Sequence, residues 1–217
     1  HLEELFKLLK AYPDCGIYAM GYFKVFNNSK PIKASFYGHD DFCGIVEDFF
    51  LASTIDCIAW TSAMMIPKTI FTTIGGYDEN MRSGQDTELW IRIALKYKVA
   101  FCSKATANKI INFDEYHLSN SKHKSDRLKI FSFFVNEESI NQSLKEYLDL
   151  NRLSMAIECK IQGDEENYKI LRKLIDENHL NFTQKILLKL PKTGLVFLKK
   201  IQLWLIMKKI YLTPFKR

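Results

Sequence analysis

No stretch of the sequence approaches the ~20 uninterrupted apolar residues that a bilayer-spanning helix needs. The longest charge-free run near the end, 201–207, is far shorter. The five cysteines, Cys15, Cys43, Cys57, Cys102 and Cys159, form no Cys-X-X-Cys pair and no Cys/His spacing that would build a zinc site. An odd, unpatterned set of this kind is expected to be buried, reduced thiols in a cytosolic protein. There is no internal repeat and no low-complexity tract. The first residues, His1-Leu2-Glu3-Glu4, do not form a basic then apolar leader, and no initiator methionine stands there. The chain is therefore expected to begin inside a longer protein. Acidic residues are missing after Glu177, where nine of the 31 basic residues lie, leaving 22 basic against 25 acidic residues before that point. The basic excess is thus confined to the tail and points to an anionic partner surface. It carries no nucleic-acid reader motif, so nucleic acid is not an expected partner.

What is present is a chain of 217 residues, 47% hydrophobic and 13% aromatic, enough to bury a sizeable core in one or two domains. Leu2, Leu5, Phe6, Leu8 and Leu9 recur at helical spacing until Pro13 stops them. The β-branched and aromatic residues of 16–26 predict a strand that ends in the turn cluster 27–31. A short helix is expected over 45–51 and a buried strand over 55–66, the latter carrying Trp60, Thr61 and Ser62. Pro67 suits the first turn of a helix that Gly75-Gly76 would end in a left-handed cap. After a loop over 77–84, Leu89, Trp90, Ile93 and Ala94 share one face of a helix over 86–97. Short strands are expected at 99–102 and 105–113. Helices are expected over 126–138, 139–161, 165–178 and 182–211, broken by Gly163-Asp164, by 178–181 and by Pro191. The organisation is α/β over 1–124, then an all-helical, basic extension over 125–217.

One segment carries a chemical signal: Ile74-Gly75-Gly76-Tyr77-Asp78-Glu79, followed by Ser83-Gly84-Gln85-Asp86-Thr87-Glu88-Leu89-Trp90-Ile91-Arg92. It resembles the family 2 glycosyltransferases, in which a glycine pair, an aromatic and an aspartate lead through a loop into a Gly-Glu-Asp motif that opens a helix. The resemblance runs from residue 1 to about 120 and includes Trp60-Thr61-Ser62-Ala63 upstream and Tyr116-His117-Leu118-Ser119 downstream. It implies the C-terminal part of a GT-A domain, Rossmann-like with a mixed sheet, without the N-terminal nucleotide-binding half. It also implies inverting transfer of a sugar from a nucleotide-sugar donor to a hydroxyl of a glycan or lipid-linked acceptor. Asp86 matches the family's base, because inversion needs a carboxylate that takes the proton of the attacking hydroxyl. The family's divalent metal, magnesium or manganese, would neutralise the leaving diphosphate. It is held mostly by an Asp-X-Asp motif that this chain lacks, with His117 as the candidate remaining ligand. Gln85 stands where the family commonly has glutamate. Taken alone, the chain would lack most of the donor site and is expected to be inactive.

Plainer readings stand beside these. Ser83-Gly84-Gln85-Asp86 has the form of a capping box with Ser83 as N-cap. Gly75 and Gly76 are substrate-near in the family but are also an ordinary helix stop. Trp60, Thr61 and Ser62 could line the acceptor side, or Trp60 could be core. His39-Asp40-Asp41 is acidic but lacks the preceding buried strand expected of a metal motif. Gln85 also leaves open a non-catalytic, glycosyltransferase-like binding module. In the tail, leucines interleave with lysines over 182–217, which suits either a helix lying on an anionic membrane surface or a packed hairpin with a solvated basic face. A third reading makes that tail a membrane-attachment module. The expected place of the protein is the cytoplasm, peripheral on the inner face of the cell membrane.

Overall fold

The structure, a computed structural model, describes residues 1–27, 29–112, 124–208 and 210–215. It is mixed α/β and divides into two compact units, His1–Val135 and Asn136–Arg217. The division falls after the first helix that follows the sheet, so that helix belongs with the α/β unit.

The first unit begins with α1 (Leu2–Ala11), whose buried Leu5 and Leu8 lie one turn apart on one face. They pack on Cys15, Tyr18, Met20 and Ala100. Each leucine so removed from water contributes about 1.5–3 kcal/mol. The strand β1 (Cys15–Phe26) is buried along nearly its whole length, and pairs in parallel with β5 (Lys98–Ile111). Burial on both faces explains why β1 reads as a continuous apolar run and does not alternate. Antiparallel strands flank this pair. β2 (Ile32–Lys33) and β4 (Met64–Met65) share the free edge of β1, while β3 (Cys43–Val46) pairs with β5.

The two short strands expected at 99–102 and 105–113 are one, with register shifts opposite Met20, Gly21 and Tyr22. Gly21 permits this: a Cβ there would lie 2.4 Å from the Ser103 carbonyl oxygen. Other expectations are corrected. Ile45 and Val46 are strand, because their backbone pairs with β5, and the helix is only α2 (Phe49–Ala52), started by Asp48 accepting from the Leu51 N–H at 2.9 Å. The segment 55–66 is not a strand apart from Met64–Met65. It is held instead by side chains of β1, Tyr22 bonding the Cys57 carbonyl and Lys24 the Asp56 carboxylate. The helices α3 (Lys68–Ile74), α4 (Gln85–Ala94) and α5 (Lys124–Phe133) complete the unit, with α6 (Val135–Ile140) straddling the division. Nor are all the cysteines buried: Cys15 is, whereas Cys43 is exposed and the other three are intermediate.

The second unit is helical. α7 (Gln142–Gln162) is its central element and packs against α8 (Glu165–Leu174), α9 (Phe182–Lys189) and α10 (Lys192–Met207). The breaks have local causes. Gly163 caps α7 in the left-handed conformation (φ 83°), and Asp164 caps α8 by accepting from the Asn167 N–H. Asn181 and Gln184 form a capping box at α9, and Pro191 precedes α10. Asp149 and Arg152, both fully buried on α7, sit within an ionic cluster. Asp149 accepts from Lys145 at 2.7 Å, Arg152 at 2.9 Å and His179 Nδ1 at 2.7 Å, and Arg152 forks onto Glu138 at 2.7 and 2.8 Å. Removing Asp149 takes an acceptor at once from the Lys145 ammonium and from the fully buried Arg152, whose fork onto Glu138 remains. Asp149→Ala should therefore lower the unfolding free energy by about 3–5 kcal/mol, read from urea denaturation.

Candidate functional site

The crossover that returns the chain from β1 to β5 contains nearly all the residues singled out by sequence. Two contacts of β1 pin the segment 56–63. Lys24 is 4% exposed and pairs with Asp56 at 2.5 Å, and Asp56 also accepts from the Ser35 N–H at 3.0 Å. Two residues earlier on β1, the Tyr22 hydroxyl donates to the Cys57 carbonyl at 3.0 Å. The Tyr22 ring lies 4.9 Å from that of Trp60, and the Lys109 ammonium stands 5.8 Å from the Trp60 ring centroid. Trp60 is thus half-buried against β1 and β5 rather than a member of a strand. Thr61 and Ser62 follow it in a single 3-10 turn and are exposed.

Asp86 lies in the first turn of α4, where an acidic side chain suits the helix dipole. One carboxylate oxygen accepts from the Thr87 N–H at 2.7 Å. The other accepts from the Thr61 hydroxyl at 3.5 Å, the reach of a weak hydrogen bond. Two residues 25 positions apart in the chain are thereby brought together, with Gln85 next to them. The expected cap is corrected. Ser83 is buried and caps nothing by its side chain; Gly84 holds the N-cap position with φ 84°. Helix α5 presses on this glycine, so that a Cβ there would lie 2.9 Å from Ile130 and 3.0 Å from Arg127. The conformation favours glycine at 84, and a side chain there would have to displace Ile130 and Arg127.

The glycine pair is tied to the same helix. Gly75 (φ 95°) is the left-handed C-cap of α3, with open space where a side chain would stand, and Gly76 is buried at φ 69°. Arg92 of α4 donates from Nη1 to the Ile74 carbonyl at 2.5 Å and from Nη2 to the Gly76 carbonyl at 2.6 Å, while Nε and the same Nη2 fork onto Glu88 at 2.5 and 2.7 Å. Glu88 is 6% exposed. Sequence reasoning did not assign Glu88, Arg92, Lys24 or Asp56 a role. Glu88 and Arg92 stand four apart on a helix, which is a readable ion-pair signal. Nothing in the sequence pairs Lys24 with Asp56.

The metal expectation has less under it. His117 lies outside the described residues, as does the rest of Tyr116-His117-Leu118-Ser119. Among the described residues, no group of three or more His, Cys, Asp or Glu side chains is placed to hold a metal ion. His39-Asp40-Asp41 forms a turn, with Asp40 accepting from the Phe36 N–H and His39 bonded to the Tyr37 carbonyl.

No protein-family model matches the chain, and no curated protein or solved structure matches it.

The Arg92 fork is the fastening between the glycine pair and the helix of Asp86. Arg92→Ala should cost roughly 2–3 kcal/mol, because it removes charge-assisted bonds and strands the buried Glu88. Arg92→Lys should restore only part of that, since an ammonium cannot fork. Thermal unfolding of the two variants measures the difference.

Proposed function

We propose that this chain is the acceptor-side portion of an inverting glycosyltransferase of GT-A type, with Asp86 as the catalytic base. The observation that supports it is the meeting of Asp86 with the exposed Thr61-Ser62 turn. A carboxylate fixed by the Thr87 N–H stands there beside an open, hydroxyl-rich edge and the half-buried Trp60. In this reading the acceptor hydroxyl enters between Thr61 and Asp86. Asp86 takes its proton as the oxygen attacks the anomeric carbon, and the nucleoside diphosphate leaves from the opposite face. Thr61 and Ser62 orient the acceptor, and Trp60 offers an aromatic edge to a sugar ring. Gln85 contributes a neutral amide where the family's glutamate would carry charge, and Gly75 leaves space for a substrate to approach the backbone. These 217 residues contain no Asp-X-Asp motif. In this reading the donor is held by residues outside them, and the activity is that of the longer protein.

The test is sugar transfer by the full-length protein, followed as nucleoside diphosphate released from a panel of nucleotide-sugars with a glycan or lipid-linked acceptor. Asp86→Asn should cut turnover by on the order of 10²–10⁴ with unchanged thermal stability. Transfer at the parental rate would remove Asp86 as the base and favour a non-catalytic binding module.

A second property rests on the tail. Among the described residues no helix is long and apolar enough to cross a membrane. On α10, however, Phe197, Ile201 and Trp204 fall on one helical face and are exposed, at 63%, 37% and 54%. Lys192, Lys199, Lys200 and Lys208 are exposed on the same helix and its ends. We infer that α10 rests on an anionic bilayer surface, where an acceptor attached to lipid would be at hand, and that this places the protein peripherally on the inner face of the membrane. Co-sedimentation with phosphatidylcholine vesicles, with and without phosphatidylserine, tests this. Lys200 and Lys208 flank that apolar face, and each lysine near such a surface contributes about 1 kcal/mol, so Lys200→Ser/Lys208→Ser should weaken binding to the anionic vesicles roughly 30-fold. Equal binding of parent and variant, or equal binding to both vesicle types, overturns it.

A further inference from the structure

Cys43 on β3 and Cys102 on β5 face each other across an antiparallel ladder. The next pair along, Phe42 and Ser103, is hydrogen-bonded, since the Ser103 N–H donates to the Phe42 carbonyl at 2.8 Å. Bonded and non-bonded pairs alternate in such a ladder, so Cys43 and Cys102 occupy the non-bonded, close position. Opposed α-carbons there are about 4.5 Å apart, inside the ~4.4–6.8 Å range that a disulfide spans. Directly opposed side chains also point to the same face of the sheet. Cys102 packs at the margin of the α1 core, while Cys43 is exposed. Partial burial of its sulfur, then a hydrogen bond with the Cys102 thiol and the charge of Cys102, with Glu4 of α1 adding to them, push the Cys43 thiol up to about 11. At neutral pH Cys43 therefore rests as a thiol. Of the other three cysteines, Cys15 is buried, Cys57 lies in the crossover and Cys159 in the helical unit.

We propose that Cys43 and Cys102 form a dithiol modification site that a low-molecular-weight disulfide, such as glutathione disulfide, converts into a cross-strand bridge. Cys43, the accessible member, loses its proton to solvent and attacks one sulfur of the oxidant. The oxidant's S–S bond breaks, and the first glutathione leaves as a thiolate that takes up a proton. Cys102 then loses its proton, attacks the Cys43 sulfur of the mixed disulfide and expels the second glutathione. Two protein thiols have lost two electrons, and one small disulfide has become two thiols. The loop so closed contains Thr61, Arg92 and Asp86, so the bridge ties together both ends of the segment that carries the candidate site. The proposal does not depend on the glycosyltransferase reading.

The experiment treats the folded chain with glutathione disulfide, alkylates the remaining thiols and maps peptides without reduction. The expected result is loss of two alkylatable thiols from the five, a mass lower by two hydrogens before alkylation, and a Cys43–Cys102 peptide that dithiothreitol separates. Cys102→Ser should instead retain glutathione on Cys43, and the bridged parent should melt at a higher temperature than its reduced form. A parent that keeps all five thiols, holds a stable glutathione on Cys43, or joins Cys43 to another cysteine overturns the proposal. Cys43→Ala, which leaves the strand pairing to the backbone, should abolish the bridge without altering the melting temperature of the reduced protein by more than a few degrees.

Discussion

The parallel pairing of β1 with β5 is the constraint on which the α/β unit depends. Parallel neighbours cannot be joined by a tight turn, so the chain must leave one end of β1 and travel back to its start before β5 can begin. Here that return, residues 27–97, is long enough to hold three flanking strands and three α-helices. It also holds Trp60, Thr61, Ser62, Gly75, Gly76, Gln85 and Asp86. The candidate site is therefore built on the crossover, and β1 and β5 supply the rigid floor to which it is fastened. Gly16 and Gly21 belong to the same requirement. At Gly16 a Cβ would run into Ile93 and Tyr97 at 2.6 Å, so glycine lets α4 lie close to the strand, as Gly21 lets β5 bulge past it.

Long irregular segments cost conformational entropy and leave backbone groups to satisfy, and in this unit charged side chains meet both demands. Lys24–Asp56 holds the segment before Trp60, and Asp56 at the same time satisfies the Ser35 N–H. Glu88–Arg92 holds α3 against α4, and Arg92 satisfies two carbonyls that the left-handed end of α3 leaves open. Both pairs are substantially buried, where an ion pair is stabilising only if its remaining hydrogen-bonding capacity is used. In each case the backbone of the crossover uses it. The helical unit repeats the device in its own core, where Asp149 gathers Lys145, Arg152 and His179 and also accepts from the Asp176 N–H.

Elements whose cause is local were legible in the sequence. The α1 face, the long apolar β1, the end of α3 at Gly75 and the breaks at Gly163 and Pro191 each follow from periodicity or from the conformational limits of one residue. So did the placing of Asp86 in the first turn of a helix. Elements whose cause is a distant partner were not. Cys43–Val46 has no strand signature of its own and is a strand because β5 offers an edge. The apolar run at 55–66 has strand composition, yet the free edge of β1 accommodates only Met64–Met65 of it, opposite Tyr18 and Ala19. The helix start at Gly84 was concealed because Ser83 has the better capping chemistry, while the packing of Ile130 and Arg127 decides the geometry.

By itself, then, the sequence determined where α1, α3 and α7 stop, which faces are apolar, that the tail is basic, and that Asp86 lies in the first turn of a helix. Those properties depend on neighbours within a few positions. Only the tertiary structure decided that Thr61 meets Asp86, that Arg92 fastens the glycine pair, that Lys24 meets Asp56, and that Cys43 opposes Cys102. Each of these joins residues brought together by strand register or helix packing. Such contacts have no signature in either partner's own surroundings in the chain, because what stabilises them is proximity that exists only after folding.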